Sequence, residues 1–152
     1  MKLAEALILR ADSQRRIEQL KQRIVQNVIT QEGSDPVEDP GALLTEMERV
    51  AGDLTALIQK INATNSTATI EDGTTISDAL ARRDILRLRH GIYRDAAQAA
   101  SQSSNRYMRS ELRMTPQINV SATQQRADEL AREYRDLDTR IQEANWRTDL
   151  VD

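Results

Sequence analysis

Residues 40–64 read PGALLTEMERVAGDLTALIQKINAT, and this stretch decides the fold. Its apolar residues Leu43, Met47, Val50, Leu54, Leu57 and Ile61 recur at alternating steps of four and three. Such steps keep side chains on one face of an α-helix, because a turn takes about 3.6 residues. Leu44, Ala51 and Ile58 widen the stripe beyond the narrow seam of a two-stranded coiled coil. A stripe that wide expects more than one neighbouring helix. Asp39-Pro40 marks the start, as an N-cap followed by proline at the first helical position. Gly52 lies off the stripe, with no evident role.

Toward the beginning of the chain, residues 2–30 predict a first helix with Leu3, Leu7, Ile17, Leu20, Ile24 and Val28 on its apolar face. Gln31 to Asp39, with Gly33 and Pro36, predicts a loop. Beyond the second helix, Thr67 to Ile76 predicts a small β-hairpin turning at Glu71-Asp72-Gly73. A three-residue loop with Gly73 left-handed pairs Ile70 with Thr74, so that Ile70 and Ile76 share one face. A two-residue loop would separate them, and the first arrangement is preferred for that reason.

Ser77 is expected to cap a third helix at about 78–102, with Ala81, Ile85, Leu88, Ile92, Ala96 and Ala99 as its buried stripe. Residues 112–120 alternate apolar and polar side chains, which predicts a half-buried extended segment. Pro116 restricts it to a sheet edge. Ser121 with Gln124 reads as a capping box opening a fourth helix at about 122–146, striped by Ala127, Leu130, Tyr134, Leu137, Ile141 and Ala144. The expected fold is mainly α. A single domain, 1–152, holds long antiparallel helices in a coiled-coil-like four-helix bundle, with a small β-hairpin and edge-strand element.

Composition agrees with thin seams between helices rather than one thick core. The 152 residues are 39% hydrophobic and 30% charged, with no Phe and one Trp. Cysteine is absent, which excludes disulfides, thiolate nucleophiles and Cys-based metal sites. No apolar run approaches the roughly 18 residues of a membrane span. Glu5 and Arg10 interrupt any signal-peptide core, so the expected location is the cytoplasm. Net charge is −3, yet residues 77–113 hold eight Arg against four acids.

Three segments carry a family likeness. They are Met1-Lys2-Leu3-Ala4-Glu5-Ala6-Leu7, Glu71-Asp72-Gly73-Thr74-Thr75-Ile76-Ser77-Asp78-Ala79-Leu80-Ala81-Arg82-Arg83-Asp84, and Asp138-Thr139-Arg140-Ile141-Gln142-Glu143-Ala144-Asn145-Trp146. Together they resemble the bacterial septicolysin-like family, from one end of the chain to the other. The resemblance implies a small bacterial helical protein with a capacity to self-associate. The family name suggests a thiol-activated cytolysin, which a chain without cysteine does not carry over. It supplies no catalytic motif that maps onto numbered positions.

The sharpest constellation is on the third helix. Arg83, Arg87, His90 and Arg94 lie four, three and four apart and share one face, opposite Ile85, Leu88 and Ile92. They are the candidate site for an anion or an acidic partner. The plainer reading is a solvated face, or ion pairs with acids of the fourth helix, which offers Glu129, Glu133, Asp136 and Asp138. His90 is the only histidine and sits among arginines, so neither a catalytic triad nor a di-metal bundle can be assembled around it. Arg106, Tyr107, Arg109 and Arg113 interleave basic and aromatic character, a thin platform for nucleic acid. Tyr107, Tyr134 and Trp146 are candidate interface anchors. No cofactor and no metal site is expected. The function expected is a self-associating structural or interaction module, homo-oligomeric and without catalytic activity. A membrane-associated or cytolysin-type protein is the alternative, followed by nucleic-acid or anion binding on the basic face.

Overall fold

The structure, a computed structural model, describes residues 1–103 and 114–152. It is mainly helical, with α1 (Leu3–Asn27), α2 (Pro40–Thr67), α3 (Ile76–Ser103) and α4 (Val120–Arg147). The residues form two compact units. One comprises Met1–Ala68 with Ala144–Asp152, and the other comprises Thr69–Glu143.

In the first unit α1 and α2 form an antiparallel hairpin. Arg16 pairs with Glu46 and Arg23 with Glu38, so residue numbers rise along one helix as they fall along the other. Leu20, Leu43 and Val50 make the core between them, with Ile17, Ile24 and Met47 packed against it. The α2 stripe is therefore inward, as its spacing predicts. Helix α1 stops at Asn27 rather than at residue 30. The Asn27 amide donates to the Arg23 carbonyl at 2.8 Å, and its oxygen accepts from the Glu38 N–H at 3.0 Å. A side chain bonded to backbone in this way competes with helix continuation. Asp39 caps α2 by accepting from the Gly41 N–H at 3.0 Å, ahead of Pro40. At its far end α2 runs three residues past the expected 64. There Thr64 and Thr67 donate back to the Lys60 and Ala63 carbonyls at 2.8 and 3.0 Å.

The first and last residues of the same unit are clasped together. Lys2 and Asp149 form an antiparallel bridge, with Leu3 N–H to the Thr148 carbonyl and Leu150 N–H to the Met1 carbonyl, both 2.9 Å. The Lys2 ammonium reaches Asp149 at 2.8 Å. The closing residues 147–152, polar apart from Leu150 and Val151, are thus tied down by backbone bonds.

In the second unit the expected hairpin is replaced by a turn, because pairing stops at one bridge, Thr69 with Thr75. Its register is nonetheless the three-residue one. Ile70 N–H donates to the Thr74 carbonyl at 2.9 Å, and Gly73 has φ 80°. That conformation disfavours any residue with a Cβ. Ile70 and Ile76 are both buried. Helix α3 begins at Ile76, two residues early, because Thr75 rather than Ser77 is the cap. Its hydroxyl accepts from the Asp78 N–H at 3.1 Å.

Among the described residues there is no strand, which corrects the hairpin and the edge strand. Residues 114–119 are an exposed loop with a bend, and residues 112 and 113 lie outside the described residues. Asn119, not Ser121, opens α4 by accepting from the Ala122 N–H at 2.9 Å, while Gln124 turns to Asp128. On α4 the buried apolar side chains are Ala127, Leu130, Leu137, Ile141 and Ala144, the predicted stripe apart from Tyr134, which is half-buried.

Candidate functional site

Helix α3 faces the opposite way from its predicted orientation. Its buried positions are Ile76, Ala79 and Ala97, with Leu80, Arg83, Leu86 and His90 half-buried. Arg83 and His90 of the basic face are therefore turned toward α4, while Arg87 and Arg94 remain exposed. Arg83 donates to Asp138 at 2.8 Å, and Arg87 donates to the Tyr134 hydroxyl at 2.6 Å. The numbering order makes α3 and α4 antiparallel. The Arg87 guanidinium also lies 5.3 Å from the Tyr134 ring centroid, within cation–π range.

The four predicted basic residues do not stay together. Arg83 is neutralised by Asp138 and by Asp84, the latter at 3.6 Å. Arg94 turns to its neighbour Asp95 at 2.9 Å and stands apart. Arg87 and His90 remain as a pair. With Ala131, Tyr134 and Arg135 of α4 they line a pocket of about 270 Å³. Arg135 was not expected there. Its signal in the sequence is its position beside Tyr134, the residue that an antiparallel partner sets opposite Arg87. The Tyr134 hydrogen bond is the main cause that holds the Arg87 guanidinium further above its usual value, aided by the charges of Asp84 and Asp138.

A second hollow between α3 and α4, about 620 Å³, has an apolar floor that includes Ile85, Leu86 and Leu137. Its rim carries Arg82, Arg89, Arg140, Asp72, Glu133 and Asp136. The Asp72 carboxyl is held below its ordinary value by hydrogen bonds from the Thr74 hydroxyl and backbone N–H, then by Arg140 and Arg82. It lies 3.6 Å from Arg140.

On the outer side of α3 the predicted buried stripe is exposed. Ile85 is 54%, Leu88 59% and Ile92 59% accessible, and Ala81 and Ala99 on the same line are exposed too. Of the candidate anchors, Tyr134 is half-buried against Arg87, and Trp146 is 55% exposed in the first unit. Tyr107, with Arg106, Arg109 and Arg113, lies outside the described residues. Among the described residues no group of His, Asp and Glu is placed to hold a metal ion. No described helix is long and apolar enough to cross a membrane.

The sequence matches a family of unknown function (DUF6847) over residues 10–150. It is also similar to a protein of solved structure, titled the crystal structure of a functionally unknown conserved protein from Corynebacterium diphtheriae. The two are 38% identical with a TM-score of 0.95, and the match covers 99% of each chain. No curated protein matches the chain.

Proposed function

The chain belongs to the DUF6847 family of unknown function, and from that premise we propose that it is a self-associating interaction module in which a second copy docks on the outer stripe of α3. The observation that carries this reading is the exposure of Ile85, Leu88 and Ile92 in one line. Scattered exposed aliphatics are ordinary on a protein surface. A row at heptad steps of three and four is the seam of a coiled coil, and water on it is unfavourable by about 25 cal/mol per Å².

Charges beside the seam favour another copy of the same chain. With Ile85, Leu88 and Ile92 as the seam, Asp84 flanks one side and Arg82 and Arg89 the other. A parallel pair sets Asp84 across from Arg89 of the partner subunit, and the two-fold axis repeats the contact. An antiparallel pair sets Arg82 across from Arg89 of the partner subunit, a like-charge contact that opposes it. Asp84 is exposed and only 3.6 Å from Arg83, so it has room to turn outward. Gly91 on the acidic flank and Ala96 and Ala99 further along leave space for close approach.

Light scattering after size exclusion tests the reading. The wild-type chain is expected to run as a dimer or larger assembly. Leu88→Glu is expected to run as a monomer with unchanged helical circular dichroism, since residue 88 is 59% exposed in its own chain. A wild-type monomer at high concentration would overturn the proposal.

A further inference from the structure

Independently of self-association, we propose that the pocket between α3 and α4 lined by Arg87, His90, Tyr134 and Arg135 binds a phosphoryl group, that is, a tetrahedral oxyanion carrying about two negative charges. The pocket is small, about 270 Å³, just below the usual range for a drug-sized ligand. That size suits one compact group rather than a whole nucleotide. Every ionisable side chain that lines it is basic or a neutral donor, and no carboxylate does.

Neither carboxylate whose charge acts on Arg87 lines the pocket. Asp84 and Asp138 are the carboxylates whose charges act on Arg87, and both pair with Arg83, at 3.6 and 2.8 Å. Arg87 itself bonds a neutral phenol, at 2.6 Å. Among the described residues Arg135 has no carboxylate partner; it engages only through its carbonyl, which accepts from Thr139 at 3.0 Å. Two guanidinium charges therefore face the same hollow without an anion. Donor geometry fits as well. The Tyr134 oxygen accepts from Arg87, which leaves its own O–H free to donate outward. His90 supplies a ring N–H, and each arginine retains unused N–H groups suited to paired phosphate oxygens.

Titration of the full chain with inorganic phosphate, at ionic strength held constant with chloride, tests this by amide and side-chain NMR shifts. Saturable shifts are expected at Arg87, His90, Tyr134 and Arg135, with none from chloride alone. Arg135→Gln, at an exposed position, is expected to weaken binding about tenfold, as loss of a charged hydrogen-bond donor does. Tyr134→Phe should weaken it less, and Arg94→Gln, outside the pocket, should leave it unchanged. Glycerol 3-phosphate forms the second arm. Tighter binding of the ester marks the ligand as a phosphomonoester, and tighter binding of inorganic phosphate marks a free anion. Shifts that fail to saturate, or an Arg94→Gln effect equal to that of Arg135→Gln, would overturn the proposal. If Leu88→Glu is monomeric yet still binds phosphate, the two readings are separated.

Discussion

Thr64 is 1% exposed, and its hydroxyl serves two backbone groups. It donates to the Lys60 carbonyl at 2.8 Å and accepts from the Val151 N–H at 3.1 Å. Thr64→Val keeps the shape and removes both bonds. It is expected to cost about 1 kcal/mol, the usual net value of a hydrogen bond, since the Val151 N–H retains some access to water. Urea unfolding measures the loss, and faster amide exchange confined to Val151 and its neighbours identifies the cause. Asp72 gives a pH-dependent counterpart. Its folded pKa is depressed, first by the Thr74 hydroxyl and backbone N–H and then by Arg140 and Arg82. A carboxylate depressed in the folded state stabilises it above the unfolded value, about 3.9, and loses that contribution as pH falls through the folded value. Glu38 and Asp149 are shifted in the same direction by Arg23 and Lys2. Stability is therefore expected to fall as pH drops below about 4. Asp72→Asn should lower the urea midpoint at neutral pH and make the acid-side fall shallower. An identical pH profile for the two proteins would show that the turn carboxylate contributes nothing.

At the scale of elements, α3 separates what pattern shows from what it hides. Leu130 on α4 is fully buried while Leu88 on α3 is 59% exposed, although both sit on regular apolar stripes. Leu130→Ala should cost about 2–5 kcal/mol through lost burial and a cavity. Leu88→Ala should leave the stability of an isolated copy within about 0.5 kcal/mol. Chemical denaturation of both variants at low protein concentration makes the comparison. The stripes of α2 and α4 were legible because aliphatic periodicity and burial coincide there, at Val50 and Ile61 and at Leu130 and Ile141. On α3 they part. Its inward positions are Ala79 and Ala97, whose small side chains carry a weak hydrophobic signal, and Arg83, whose charge is met by Asp138. A reading that ranks residues by hydrophobicity turns such a helix outside in. The pocket was half legible for the same reason. Arg87 and His90 could be placed on one face from spacing alone, while Arg135 required knowing that α4 runs antiparallel to that face. The hairpin failed at a finer level: local turn chemistry at Asp72-Gly73 set the register, but only Thr69 and Thr75 formed a bridge before Ile76 entered a helix.

For the whole molecule, the exposed α3 stripe links stability to concentration. If two copies bind through Ile85, Leu88 and Ile92, only the folded chain presents the seam in register, because the row exists only while α3 is helical. Association then draws the folding equilibrium toward the native state by mass action. At about a hundredfold above the dissociation constant this adds about 2.7 kcal/mol per associating site. For a domain of this size it raises the melting temperature by about 5–11 °C. Wild-type protein melted over a hundredfold range of concentration is therefore expected to show a melting temperature that climbs with concentration. Leu88→Glu should show a flat line that meets the wild-type value at the dilute end, because residue 88 is 59% exposed in its own chain. Asp84→Lys separates the docking geometry from simple stickiness. Reversing that charge sets Lys against Arg89 of the partner subunit in the parallel pair and should flatten the slope, whereas an antiparallel pair, lacking that contact, would keep it. A wild-type melting temperature that ignores concentration would mean that the seam stays in water, and that α3 carries its aliphatic row for a partner other than itself.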